Sequence, residues 1–280
     1  MKKYTQCKLN FKGKLQLFLE TIMSYVSTPN GQWSIKGFID VYKNIYTISS
    51  DTKIVSKILE IHLFPKILEF AEQNNYKIVL ADHQNYYPDI SFIDKDNDAI
   101  KFAVDFKTTY RNPDNKALCN GFTLGSHGEY FINRASRKNI QFPYDEYIGH
   151  FCFGIIYDRV EIEKIVETAS FQISQLKSIP SVVQNFDFFI AEKWKIASDK
   201  SGSGNTANIG SINNIDDIKK ENGMFSKLGE EWFDDYWKNY NKIVKSGSKG
   251  DKIRNIYDFV SYRKGNLELI VLKRSGKDNG

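Results

Sequence analysis

The alternation of apolar and polar residues predicts a mixed α/β fold in which strands and helices follow one another along the chain. Apolar residues recur at helical spacing over 14–26, from Thr52 to about residue 74, and over 230–240. Period-two alternation predicts strands within 33–47 and a short strand near 76–81. The near-continuous apolar run at 148–157 is typical of a strand that is buried on both faces.

The helix predicted from Thr52 begins after Asp51, a residue type that favours helix N-caps. We expect one apolar stripe of this helix to be buried, formed by Ile54, Ile58, Ile61 and Leu68. Pro65 lies inside the pattern and predicts a kink or a break, because proline lacks the backbone N–H that a helix interior needs. In the helix predicted over 230–240, the pattern favours core positions for its aromatic residues: Trp232, Phe233, Tyr236 and Trp237.

A hairpin is predicted between residues 89 and 108, where two alternating segments flank a polar turn at 94–98. In the second strand, Phe102, Val104 and Phe106 alternate with Ala103, Asp105 and Lys107. Because residues two apart share a face of a strand, Asp105 and Lys107 point the same way. The hairpin can bring Asp89 back beside them.

Two carboxylates and an ammonium at one end of a sheet suit a hard divalent cation and an anionic substrate. The alternative is that Asp105 and Lys107 form a weak ion pair on a solvated face, and that Pro88 and Asp89 form only a turn. The hairpin alone leaves both interpretations open.

The length is compatible with one large domain or two smaller ones, and we expect a single domain over residues 1–280. The chain has 280 residues, of which 41% are hydrophobic and 14% aromatic, which is enough apolar material for a core. The three cysteines are far apart and form no metal-binding pattern, so we expect neither a disulfide framework nor a zinc site. Such sparse cysteine usage fits a reducing compartment, and we expect a cytoplasmic protein. We find neither a signal peptide nor an apolar run that would span a membrane.

The net charge of +5 is concentrated in a basic C-terminal segment. Residues 241–280 contain ten Lys and Arg against four Asp and Glu. A polyanionic partner such as nucleic acid fits this distribution. A solvated tail that aids solubility fits it equally well.

The segment 199–210 is rich in small and amide residues, with the sequence DKSGSGNTANIG. A flexible linker is one interpretation of such a run. The other is a loop whose backbone and amide groups approach a flat surface closely and read base edges in a DNA groove.

Several segments taken in order resemble the EcoRV-like family of type II restriction endonucleases, within the PD-(D/E)xK nuclease superfamily. The resemblance covers most of the chain, from about Trp33 to about Lys264. It rests on SDTK at 50–53, Glu60, QNYYPD at 84–89, VDFKTTY at 104–110, FTLG at 122–125, GSGNTANIGS at 202–211 and DYWKNY at 235–240.

The resemblance implies a restriction-endonuclease-like core, with a central mixed β-sheet flanked by helices, in a U-shaped homodimer. A dimerisation subregion is expected around 31–48. Asp89 and Asp105 would bind Mg²⁺, Glu60 would add a further acidic ligand, and Lys107 would sit at the attacking water. These four residues form the expected catalytic set.

The resemblance also implies contacts with double-stranded DNA. The turn from Gly202 to Thr206 would read bases in the major groove, Gln84 and Asn85 would lie in a minor-groove loop, and others would approach phosphates. The family has Gln where this chain has His83, which bears on the minor-groove contacts. The candidate DNA-binding residues are Gly202, Ser203, Gly204, Asn205, Thr206, Asn208, Gln84, Asn85, Lys53, Thr108, Thr109 and Lys138.

The function implied is a Mg²⁺-dependent site-specific endonuclease that cuts the palindrome GATATC at its centre and leaves 5′-phosphate ends. A cognate DNA methyltransferase would protect host DNA. Two alternatives remain: a non-catalytic DNA-binding protein that keeps the fold, and a structure-specific repair or recombination nuclease of the same superfamily.

Overall fold

The computed structural model describes residues 2–83, 85–161, 169–202, 207–245 and 247–271. The strands in this part of the chain are β1 (Gly37–Ile39), β2 (Asn44–Thr47), β3 (Tyr76–Leu80), β4 (Ile90–Asp94), β5 (Lys101–Tyr110), β6 (Thr123–Ser126), β7 (Tyr147–Arg159), β8 (Ser170–Gln172), β9 (Val183–Glu192), β10 (Ala197–Ser201) and β11 (Asn208–Ser211). The α-helices are α1 (Lys2–Val26), α2 (Thr52–Gln73), α3 (Glu129–Ile132), α4 (Ile215–Lys219), α5 (Glu230–Asn239) and α6 (Ile256–Tyr262).

A five-stranded mixed sheet, in the order β3-β4-β5-β7-β9, forms the centre of the molecule. β4 is antiparallel to β3 and β5, β5 is parallel to β7, and β7 is antiparallel to β9. Two three-stranded sheets lie beside it, in the orders β1-β2-β8 and β10-β11-β6. The predicted mixed sheet flanked by helices is therefore confirmed.

Hydrophobic cores cover both faces of the central sheet, and β5 contributes alternate residues to each. On one face, Phe102 stacks on Phe11 of α1, with ring centroids 4.1 Å apart. On the other face, Ala103 belongs to the cluster that contains Tyr236 and Trp237 of α5. With Phe233, these α5 residues are almost fully buried, which confirms the predicted core role of that helix.

Helix α1 begins at Lys2, twelve residues before the predicted start at residue 14. Its added turns carry Phe11, which is fully buried against β5. They also carry Lys8, whose Nζ lies 2.7 Å from an Oε2 of Glu192. The start of the chain is therefore part of the main core.

Helix α2 buries a different stripe from the one predicted. Ile58 is buried, but Ile54, Ile61 and Leu68 are exposed by 41%, 63% and 47%. Apolar residues lie on both sides of this helix, so helical spacing alone does not choose the face that packs on the sheet. The core side consists of Val55, Ile58, Leu59, Leu63, Ile67, Phe70 and Ala71.

The helix also runs through Pro65 as one element, so the predicted break is wrong. No helix in the described ranges is long and apolar enough to cross a membrane.

Candidate active site

The β4–β5 hairpin brings Asp89 to Asp105, as the sequence predicts. The two strands pair with Ile90 opposite Val104, which places the residue before β4 beside the middle of β5. The backbone N–H of Phe106 donates a hydrogen bond of 2.7 Å to Oδ2 of Asp89. This bond fixes the orientation of the Asp89 carboxylate next to Asp105.

Lys107 completes the group on the same face of β5. Its Nζ lies 2.5 Å from Oδ2 of Asp105. Asp89, Asp105 and Lys107 together line a cavity of about 290 Å³, whose wall includes Asn85 and Asn208. Asp105 and Lys107 do form an ion pair, and together with Asp89 they face a common open space.

Burial and mutual charge set the protonation of this trio. Burial, together with the negative charge of Asp105, raises the pKa of Asp89 to about 7, although Lys107 acts in the opposite direction. Burial by itself would lower the pKa of Lys107, but the carboxylates of Asp105 and Asp89 outweigh it and raise that pKa. At neutral pH the metal-free site thus holds a charged Lys107 ammonium beside Asp89, whose ionisation is opposed by burial and by the charge of Asp105.

The donor set fits a hard divalent cation. The carboxylates of Asp89 and Asp105 converge on this cavity. The described part of the chain contains no group of three or more His, Cys, Asp or Glu residues that could hold a metal ion. One or two carboxylates, with the remaining ligands supplied from outside the protein, is the usual pattern of Mg²⁺ sites.

Replacing Asp89 by Asn should change how the stability of the metal-free protein depends on pH. Asp89 has a folded pKa of about 7, against an ordinary value of 3.8. Its contribution to stability is therefore complete below the unfolded pKa and is lost as the pH rises through about 7. Asn does not ionise, so Asp89→Asn should be more stable than the parent at pH 8, by on the order of 1 kcal/mol or more. Urea unfolding in EDTA measures this difference, which should shrink at pH 5.

Asp98 offers a matched control on the same hairpin. It is exposed, and the hydrogen bond and charge of Lys77 lower its pKa. Asp98→Asn should give no gain in stability at pH 8. A gain for Asp89→Asn that is the same at pH 5 and pH 8 would contradict the pKa assigned to Asp89.

Comparison with known proteins agrees with this site. The sequence matches the family described as Restriction endonuclease EcoRV over residues 29–264. The chain belongs to this EcoRV family. A curated relative, the type II restriction enzyme EcoRV of Escherichia coli, is 36% identical over 231 residues, which is 82% of this chain and 91% of the relative. The chain is therefore a DNA-binding nuclease, and the matched range includes the whole trio.

Part of the expected base-reading surface of this EcoRV family member borders the cavity. Asn85 and Asn208 both line it. The backbone N–H of Gly202 donates to the carbonyl oxygen of Asn208 at 2.8 Å. A Cβ at Gly202 would lie 2.5 Å from Cγ2 of Thr123, so a side chain there would displace Thr123. Gln84, Ser203, Gly204, Asn205 and Thr206 lie outside the described residues, and their roles stay predictions.

The candidate phosphate-binding residues differ in their accessibility. Lys53 and Lys138 are exposed, and Thr108 is half-buried. Thr109 is buried, and its Oγ1 donates a 2.6 Å hydrogen bond to the carbonyl oxygen of Asn120. The hydroxyl of Thr109 therefore ties β5 to the following loop, and its contact with DNA stays a prediction.

Glu60 lies apart from the trio. It is on α2, where the Nζ of Lys57 lies 2.8 Å from its Oε2. The hydrogen bond and charge of Glu60 raise the pKa of Lys57, and the charge of Asp89 adds to the same shift, so this turn of α2 lies within electrostatic reach of Asp89. Glu60 does not line the cavity. Its proposed part in metal binding stays a prediction.

Some residues at this site of the EcoRV family fold were not among those predicted from the sequence. Glu129, in the first turn of α3, and Asn139 line the cavity. Asn139 adopts a left-handed backbone conformation with φ of 60°. Its position next to Lys138, a candidate DNA-binding residue, is the sequence feature that could have pointed to it. Lys193 lies buried behind the cavity wall, and nothing in the local pattern predicted it.

Proposed function

We propose that this chain is a Mg²⁺-dependent type II endonuclease that hydrolyses phosphodiester bonds of double-stranded DNA at a specific site. The observation that carries the proposal is the convergence of Asp89, Asp105 and Lys107 on one cavity, in a chain of the EcoRV family. A non-catalytic binding protein would have no need to hold an ammonium against two partly buried carboxyl groups, because such an arrangement costs stability.

Asp89 and Asp105 would hold the metal, with Glu60 as a proposed further acidic residue. When bound, Mg²⁺ supplies positive charge to the phosphate and lowers the pKa of water. The Phe106 N–H holds Asp89 in the orientation required for this role. Asp105 in turn holds the Lys107 ammonium at the same face.

Lys107 would stabilise charge in this mechanism. In the metal-free chain the carboxylates of Asp105 and Asp89 outweigh burial and raise the pKa of Lys107, which favours its protonated form. A protonated lysine donates hydrogen bonds and stabilises the negative charge that grows on the phosphate in the transition state. It can also orient the attacking water.

For the recognition site we propose GATATC, cut at its centre to leave blunt 5′-phosphate ends. The proposal rests on the resemblance of the GSGNT sequence at Gly202–Thr206 to the family's recognition turn. Asn85 and Asn208, which border the cavity, would contribute to the DNA-binding surface. A methyltransferase that modifies the same sequence would protect host DNA.

A palindromic site calls for a two-fold dimer with one subunit on each half-site. The predicted dimerisation subregion, 31–48, presents an unusually apolar surface in the monomer. Exposed apolar patches of this kind mark association surfaces. Its exposed large apolar residues are Phe38, Ile39, Val41, Tyr42 and Tyr46. We propose a homodimer through this surface, which sedimentation would detect as twice the chain mass of 32.4 kDa.

The experiment that tests the function is incubation of the purified chain with a plasmid that carries one GATATC site. With Mg²⁺ we expect one discrete linear product, and with EDTA we expect none. Retardation of the DNA in a gel without cleavage under Mg²⁺ would favour the non-catalytic alternative. Cleavage spread over many positions would favour a structure-specific nuclease.

A further inference from the structure

Lys193 carries a buried ammonium that the trio does not include. It follows β9 and opens the 3₁₀ turn Lys193–Ile196. The residue is only 3% exposed, and its Nζ has no hydrogen-bond partner among the residues that the structure describes. An unpaired charge of this kind costs several kcal/mol to bury, so its retention calls for an explanation.

Aromatic faces surround this ammonium. The Nζ lies 4.9 Å from the ring centroid of Tyr87 and 5.5 Å from those of Phe131 and Tyr144. Cation–π attraction recovers part of the lost hydration. The hydroxyl of Tyr87 is itself held by a 3.0 Å hydrogen bond with Nδ1 of the buried His150. The cage is therefore rigid, and it fixes the position of the charge.

Only a thin wall separates Lys193 from the active-site cavity. Tyr87 and Gly125 form part of the cavity lining, and both adjoin the ammonium. Gly125 has a φ of +93°, and a Cβ built on it would lie 3.4 Å from the Nζ of Lys193. Asp105 attracts the charged form of Lys193, although burial prevails and lowers its pKa to about 7.

Carboxylates are present near the 3₁₀ turn, so a lack of acidic residues does not explain why Lys193 is unpaired. The neighbouring Lys195 places its Nζ 2.6 Å from Glu192 and 3.4 Å from Glu221. Lys8 of α1 also pairs with Glu192, at 2.7 Å. The 3₁₀ turn thus directs Lys195 toward a paired network and Lys193 toward the active site.

We propose that Lys193 is a positioning residue of the active site, whose buried amine, when protonated, places a positive charge behind the wall of Tyr87 and Gly125. This charge favours an anionic phosphate in the cavity and opposes a divalent cation at Asp89 and Asp105. The inference rests on the proposed function, because it assumes that both species bind there.

Metal binding to the full chain without DNA gives the most specific test. We expect Lys193→Met to bind Mg²⁺ at least about threefold more tightly than the parent, because a repelling charge is removed. Lys193→Arg keeps the charge and should stay within about twofold of the parent. Displacement of Tb³⁺, with luminescence sensitised by the cavity tyrosines, measures these affinities. A purely structural role for Lys193 predicts weaker binding in Lys193→Met, because the site would loosen.

Stability and a neighbouring variant supply the controls. Lys193→Met removes an unpaired buried charge, so its melting temperature should equal or exceed that of the parent. Lys195→Met breaks the partly buried ion pairs with Glu192 and Glu221 and should lower the melting temperature while leaving Mg²⁺ affinity within about twofold of the parent. A Lys193→Met protein that is unfolded, or that binds Mg²⁺ no more tightly than the parent, would overturn the proposal.

Cleavage provides a second measurement. At saturating Mg²⁺ and DNA, the single-turnover rate of Lys193→Met should fall about tenfold, because transition-state charge loses a stabilising partner. The KM for DNA should stay within about twofold of the parent, and Lys193→Arg should restore most of the rate. A parent chain that neither binds Mg²⁺ nor cuts DNA would refute the proposed function. An active parent whose Mg²⁺ affinity and rate are unchanged in Lys193→Met would refute this inference alone.

Discussion

Asp105→Ala is expected to abolish DNA cleavage, with a loss of at least about 10³-fold in the single-turnover rate. The variant removes one of the two carboxylates of the proposed metal site, and it also removes the anion that holds Lys107 in place. The fold should persist, because the side chain faces the cavity and the neighbouring core residues of β5 are unchanged. Circular dichroism checks the fold.

DNA binding in EDTA separates a catalytic defect from a binding defect. Asp105→Ala should bind DNA at least as well as the parent, because it places less negative charge near the phosphate. Asp98→Ala is the matched control, since Asp98 lies on the same hairpin, and its side chain is 73% exposed and paired only with Lys77. The control should cut at the parent rate. Normal cleavage by Asp105→Ala would remove Asp105 from the active site.

Lys107→Met is expected to slow cleavage by about 10²- to 10³-fold while leaving the metal site occupied. The change deletes a positive charge that both carboxylates favour, so Mg²⁺ should bind at least as tightly as in the parent. This pattern differs from that of Asp105→Ala, which loses both rate and metal affinity. Single-turnover rates measured over a Mg²⁺ titration distinguish the two.

Lys101→Met is the control for Lys107→Met. Lys101 lies on the same strand at a position of the same parity, but its Nζ pairs with Glu146 at 3.1 Å, outside the cavity. Its rate should stay within about twofold of the parent. If Lys107→Met cut as fast as this control, Lys107 would have no part in charge stabilisation.

The hairpin could be predicted because its determinants are local. Asp94 accepts hydrogen bonds from the backbone N–H groups of Asp96 and Asn97, which forms the expected turn. Once the turn is set, the antiparallel register follows within a few residues, and alternation places Asp105 and Lys107 on one face. The core of the active site therefore follows from about twenty consecutive residues.

Positions that depend on distant partners could not be predicted in this way. Thr109 has the same strand parity as Lys107, yet the loop at Asn120 folds over it and takes its hydroxyl. The sequence over 186–197 is strand-like throughout, whereas β9 ends at Glu192 and a 3₁₀ turn directs Lys193 inward. The local sequence pattern predicts neither the burial of the Thr109 hydroxyl nor the end of β9, because tertiary packing determines both.

Helix α2 shows the same limit for a helix. Its apolar residues extend around most of the surface, and the exposed Ile61 is locally indistinguishable from the buried Ile58. The choice of face is made by α1 and the central sheet, which pack against α2 from residues far away in the chain. Sequence periodicity predicts the helix, and only the assembled core decides its orientation.

Sequencing the ends of the DNA products shows directly whether the chain cuts GATATC at its centre. The purified chain is incubated with Mg²⁺ and a plasmid that contains GATATC, and both strands of every product are sequenced to their ends. We expect blunt products, in which every 5′ end begins with ATC, every 3′ end finishes with GAT, and the 5′ ends carry phosphate. Ends that map to other sequences or scatter along the plasmid, or the absence of cutting, would contradict this expectation.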